Sequence, residues 1–268
     1  MNRQTSNSNA QVITTNRVKT RKKGQQMTQI YVLTKLFDQP EYREDFRKGF
    51  LFMRKLKEFS AMEEDTPEKR GDKHEGISVH YQPGQHKVML NGIETEGLAG
   101  PTTIKTGKAI ESFAFCMYAV HSGDYTTFTD SDVPAFKNSL KINADAAALG
   151  NEMLVILNCE EFIRRMTRAF ASKNIYHRYG LVKYFEPATF HGNIEEEEVG
   201  FWKRNIYQKQ NEYRIIADIP STDGSVKFTI GDLSDITMAT TPEEFNEKLE
   251  IRLKKITTQP KYDQPFQL

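Results

Sequence analysis

From Ile30 to Ala239 the sequence is broken into short runs rich in β-branched and aromatic residues, each closed by glycine, proline, asparagine or aspartate, and this pattern limits the fold most. The runs cover 30–33, 50–53, 77–81, 87–90, 110–120, 153–157, 175–185, 213–219, 226–230 and 236–239. Helix signals are fewer. Thr241-Pro242-Glu243-Glu244 supplies a cap hydroxyl, a proline at the first helical position and a glutamate behind it, predicting a helix to about Lys255. Asn158 with Glu161 marks another start, and 41–48 reads as a third helix ending at Gly49. Strands and helices do not alternate one for one. The expected class is therefore α+β, a single domain with a mixed or antiparallel β core and a few flanking helices.

Two turns carry pairing expectations. Tyr81-Gln82-Pro83-Gly84-Gln85-His86 reads as a hairpin turn, as does 221–225, which should pair 213–219 with 226–230. No internal repeat or long linker divides the chain, so the body is read as one domain over 27–256 with a C-terminal tail, 257–268. Residues 1–26 differ in kind. They hold Arg3, Arg17, Lys19, Arg21, Lys22 and Lys23 and no acid, so 31 basic against 36 acidic side chains leave −5 for the rest. A segment this polar has little to bury and is expected to be a disordered basic tail, or sequence upstream of a start at Met27.

Several chemistries are set aside by the same reading. No apolar run is long enough to span a bilayer and 1–26 lacks the apolar stretch of a secretory signal, so the expected compartment is the cytoplasm, with no membrane partner. Two cysteines suit a reducing environment; Cys116 reads as a core residue, and Cys159, at a helix start, as the better nucleophile candidate. No phosphate loop or dinucleotide glycine pattern is present. His74, His80 and His86 recur every six residues but lack nearby ligating partners, so no metal site is assigned.

Two constellations remain. Arg70-Gly71-Asp72-Lys73-His74-Glu75-Gly76 packs ionisable side chains between glycines, either as a solvated loop or as a strand-edge loop presenting Arg70 and His74 to an anion. Phe201-Trp202-Lys203-Arg204-Asn205-Ile206-Tyr207 precedes a strand from Glu212. Its period of two puts Tyr213, Ile215 and Ala217 on one face and Glu212, Arg214 and Ile216 on the other. Glu212 beside Arg214 is either a surface ion pair or a working carboxylate. Trp202, Lys203, Arg204 and Tyr207 read as an exposed aromatic and basic binding surface.

Phe46-x-x-Gly49-Phe50-Leu51-x-Met53-x-x-Leu56-x-x-Phe59, Glu64-Asp65, Arg70-x-Asp72-x-x-Glu75-Gly76 and Phe201-x-Lys203-Arg204-x-x-Tyr207-x-x-x-x-Glu212-Tyr213-Arg214 together resemble a family of small bacterial and prophage-borne proteins. The order of elements is similar to that of ADP-ribosyltransferase toxins of anti-phage defence systems. That resemblance implies NAD as cofactor, Glu212 and Arg214 as catalytic residues, and Tyr31, Arg70, His74, Tyr81 and Tyr118 around the cofactor. It implies a target in RNA, DNA or protein and leaves room for an antitoxin partner. Two other functions fit the same residues. One is a metal-dependent nuclease on Asp72, Glu75 and Glu212. The other is a non-catalytic nucleic-acid or protein-binding module on the 202–207 surface.

Overall fold

A computed structural model of the chain describes residues 28–62, 71–85, 89–94, 100–123, 125 and 129–251. The tails, the start at Met27, Arg70, the acidic stretch 63–65 and His86 lie outside them. The organising strand is Phe113–His121, the longest and almost wholly apolar, buried on both faces. Along one edge it carries Glu212–Ala217, with Glu212 opposite Tyr118 and Ala217 opposite Phe113, and beyond that His177–Leu181.

Its other edge is shared. Ile30–Phe37 pairs with the 118–121 end, and Phe50–Lys55 with Phe113 and Ala114. The sheet therefore forks, one arm continuing through Glu152–Ile156 to Thr237–Thr240 and the other ending on Ser225–Thr229. It has eight strands, antiparallel at every pairing. Smaller pieces cover it: an antiparallel set of Gly192–Asn193, Ile77–Tyr81 and Thr102–Lys105, a parallel pair of Lys183–Phe185 and Trp202–Arg204, and a pair of Met89–Leu90 and Ile93–Glu94. This is a mixed α+β domain with flanking helices.

The two faces of the large sheet bury different cores. On one, Leu33, Phe115, Met117, Tyr213 and Ile215 meet Phe162, Met166 and Phe170 of helix Cys159–Ala171, whose Asn158 caps the Glu161 amide at 3.0 Å. On the other, Val32, Tyr118, Val120 and Val155 pack on Phe136 and Ile142, while Ala114 and Ile216 pack on Leu56 and Phe201. Between these last two apolar groups the second face turns ionic.

Several local expectations meet a tertiary answer. Helix Pro40–Arg47 ends as expected at Gly49, whose φ of +87° and close approach to the Gly231 carbonyl leave no space for a Cβ. Helix Pro242–Lys248 starts on the Thr241 cap and ends short of Lys255. The run 110–120 opens as helix Gly107–Glu111 before the strand begins, and 175–185 breaks at Val182, whose amide donates to the Glu212 carbonyl. The expected 213–219 with 226–230 hairpin does not form. Both edges of Glu212–Ala217 are taken, so Ser225–Thr229 pairs with Phe50–Lys55. Likewise Ile77–Tyr81 pairs with Thr102–Lys105 and Gly192–Asn193, and Met89–Leu90 pairs with Ile93–Glu94.

Candidate functional site

Arg214 is the centre of the ionic patch. It is 1% exposed, and every guanidinium N–H is donated. Nε donates to Glu212 Oε1 at 2.5 Å and Nη2 to Glu212 Oε2 at 3.3 Å. Nη2 also reaches Glu75 Oε2 at 2.8 Å, while Nη1 donates to Glu75 Oε1 and, at 2.6 Å, to the Gly200 carbonyl. Lys203 closes the other side of Glu212. Its Nζ lies 3.2 Å from Oε2 and 2.7 Å from Gln210 Oε1, over the Tyr207 ring.

A second clamp adjoins the first. Arg204 Nε donates to Asp72 Oδ1 at 2.8 Å and Nη2 to the Tyr207 hydroxyl at 3.0 Å, and that hydroxyl donates to the Gly71 carbonyl at 2.6 Å. Asp72 also accepts the His74 amide at 2.9 Å. Three acids, Asp72, Glu75 and Glu212, thus face three cations, Lys203, Arg204 and Arg214, all buried. Desolvating so many charges is costly unless each finds a partner, so the patch acts as one unit.

The charge states follow from the number of partners. Burial pushes the Glu212 carboxyl up, but Arg214 and Lys203 outweigh it and hold the group well below the usual carboxylate range. At Glu75 burial prevails over Arg214 and the more distant Lys203, raising its pKa. The Cys116 thiol touches Glu212, and burial pushes it up to about 12. Cys159 is pushed up to about 11 by burial, so the better nucleophile candidate of the two cysteines is a protonated core residue at neutral pH.

Glu212 also adjoins an open space. A cavity of about 620 Å3 is lined by Tyr118, Lys141, Asn205, Ile206, Lys209 and Asn211 among others. Asn211 is the chain neighbour of Glu212, with a left-handed φ of +39°, and Tyr118 is its cross-strand partner. The short helical segment Asn205–Gln210 separates cavity from carboxylate, turning Ile206, Gln208 and Lys209 outward and Tyr207 and Gln210 inward.

The expected site residues are distributed unevenly over this geometry. Asp72, Glu75, Arg214 and Glu212 come together as one network, yet Glu212 is 5% exposed, so the network is a closed lattice rather than the wall of an open cleft. The surface ion pair is corrected to a buried one. The exposed patch of Trp202, Lys203, Arg204 and Tyr207 is corrected too. Lys203 and Arg204 turn inward to meet acids, Tyr207 is covered by them, and Trp202 is half-buried against Phe190 with its indole N–H on Glu198.

The tyrosines expected around NAD do not converge. Tyr118 borders the cavity, Tyr31 packs on Phe136, and Tyr81 stands on the three-stranded sheet with its hydroxyl on Asn193. His74 sits beside Asp72, 5.8 Å from His80 between ring centroids, and both ring nitrogens of His80 are engaged by Thr103 and Pro187. Cys116 and Tyr184, whose hydroxyl accepts the Glu212 amide at 2.9 Å, went unread as partners of Glu212, as did Gln210 as a partner of Lys203. The usable signal was charge balance, because ions placed on apolar strands require opposite ions elsewhere in the chain.

No helix among the described residues is long and apolar enough to cross a membrane. Comparison with protein families, with curated proteins and with solved structures returned no match.

Proposed function

We propose that the chain is an ADP-ribosyltransferase acting as a toxin or phage-defence effector, moving ADP-ribose from NAD to a nucleic acid or protein, with Glu212 as its working carboxylate. One observation carries the reading: an ionised glutamate opens a rigid buried strand, and both its chain neighbour and its cross-strand neighbour line a cavity. The order of elements supports it. NAD supplies a nicotinamide–ribose bond whose cleavage leaves positive charge on the ribose. A carboxylate fixed beside that charge stabilises the transition state without reorganising.

Arg214 and Lys203 keep Glu212 anionic and aim it. Tyr118 is the one tyrosine placed to contact a ligand in the cavity, so Tyr31 and Tyr81 drop out of the cofactor site. Because Gln210 and Lys203 cover the carboxylate, substrate entry requires segment Asn205–Gln210 to draw back, with Asn211 as its pivot.

The test is incubation of the protein with NAD labelled in its adenylate and with cellular RNA, DNA and protein. Glu212→Gln should lower label transfer by about 10² or more at a temperature where circular dichroism shows both proteins folded. A wild-type protein that neither transfers label nor releases nicotinamide ends this reading.

Burial of the same carboxylate favours a second reading, in which the ion lattice only shapes the domain and the chain binds a partner without chemistry. Glu212→Gln would then lower stability and leave binding unchanged. The nuclease alternative meets three carboxylates already engaged by guanidinium groups. Among the described residues, no group of three or more His, Cys, Asp or Glu side chains is placed to hold a metal ion.

A further inference from the structure

The cavity beside Glu212 has a fixed rear wall and free groups in front. In the wall, the Tyr118 hydroxyl accepts from Asn211 at 3.0 Å and from Asn143 at 3.4 Å, and donates to the Lys141 carbonyl at 3.2 Å. Asn143 is itself pinned, donating to the Lys209 carbonyl and capping the Ala146 amide. In front stand the side chains of Asn138, Gln208, Lys141 and Lys209, which make no hydrogen bond or ion pair among the described residues. Beside them Ile206 is 59% exposed.

This is the reverse of the buried lattice, where every cation has its acid. Two unpaired ammonium groups call for an anion, and the single acid on the lining, Asp145, does not offset both. Free primary amides donate and accept at once, as do the edges of nucleobases, and an exposed aliphatic side chain offers a flat base something to lie on. A volume of about 620 Å3 falls in the range of small-ligand sites. A neighbouring cavity of about 700 Å3 shares Lys141 but is lined by Glu243 and Glu247, which repel phosphate.

We propose that the 620 Å3 cavity receives one unstacked nucleotide of a single-stranded nucleic acid. Its base lies on Ile206 and is read by Asn138 and Gln208, and its flanking phosphates sit on Lys141 and Lys209. This deepens the transferase reading by naming the acceptor, and it can be tested without catalysis.

The experiment is fluorescence anisotropy of the full chain with short fluorescein-labelled single-stranded RNA and DNA of one mixed sequence, alongside the matching duplexes. A single strand of either sugar should bind at least about tenfold more tightly than its duplex, since paired bases hide the edges to be read. Its log affinity should fall with log salt with a slope near −1.4, about −0.7 for each of two phosphates. Joint Lys141→Glu and Lys209→Glu substitution should weaken binding at least about tenfold with an unchanged circular dichroism spectrum, and Lys173→Glu, remote from the cavity, should leave it unaltered. Absence of single-strand binding overturns the proposal, as does equal weakening by Lys173→Glu or label delivered from NAD to protein alone. Binding that obeys these rules in a protein that never cleaves NAD upholds the nucleotide site while removing the transferase.

Discussion

Arg214 is bound to two carboxylates that stand in no other guanidinium's reach, so its removal strands Glu75 and leaves Glu212 with Lys203 alone. Arg214→Met should cost about 3–5 kcal/mol in a urea titration, the penalty of leaving buried charge uncompensated. Arg214→Lys should recover little of that, because an ammonium cannot make the fork. A loss under about 1 kcal/mol would mean that the acids are solvated after all. Acid should act through Glu212 with a definite sign. Its folded pKa lies below the unfolded value of about 4.3, so its contribution is complete above that pH and is lost as pH falls toward the folded value. Glu75 is raised and runs the other way, its folded form holding the proton more readily. The drop in urea midpoint between about pH 7 and pH 3 should be smaller in Glu212→Gln than in the wild type. At this scale the alternation of Tyr213 and Ile215 against Glu212 and Arg214 was legible, because a strand's period is local. The depth of Arg214 was not, since its partner Glu75 lies 139 residues away.

Elements were legible where their signals sit in adjacent residues. Asn158 and Thr241 each cap the amide three positions on, and a cap needs nothing from the rest of the chain. Asn158→Ala should cost about 1 kcal/mol, read as a lowered denaturation midpoint. Gly49→Ala should cost more than about 1 kcal/mol, because alanine must adopt a positive φ and also displace the Gly231 carbonyl. A midpoint within error of wild type would show that the turn can rearrange. Strand partners were far less legible. The turn 221–225 invites a hairpin, and only competition for the edges of Glu212–Ala217 sends Ser225–Thr229 elsewhere. Stretch 202–207 misled for a related reason: its bases and aromatics are those of a surface, but Asp72 and Glu212 draw Arg204 and Lys203 inward.

For the molecule as a whole, the sequence carried the class, with strands that do not alternate with helices, and hid the fork. A strand serving two partners along one edge leaves no mark in its own residues; Phe113–His121 reads as any buried strand would. The same arrangement fixes an order of events at the ribosome. Strands Ile30–Phe37 and Phe50–Lys55 and the central strand emerge early, but the strand that covers the central strand's remaining edge, and brings Arg214 to Glu75 and Glu212, emerges almost a hundred residues later. Until then Glu75 has no guanidinium to follow indoors and must stay in water, holding that layer open. A nascent chain halted at Gln210 should accordingly be cut by protease wherever it is offered, while release of the finished chain brings resistance in a single step. Every message broken before Glu212 would then yield a product that the cell can recognise and clear.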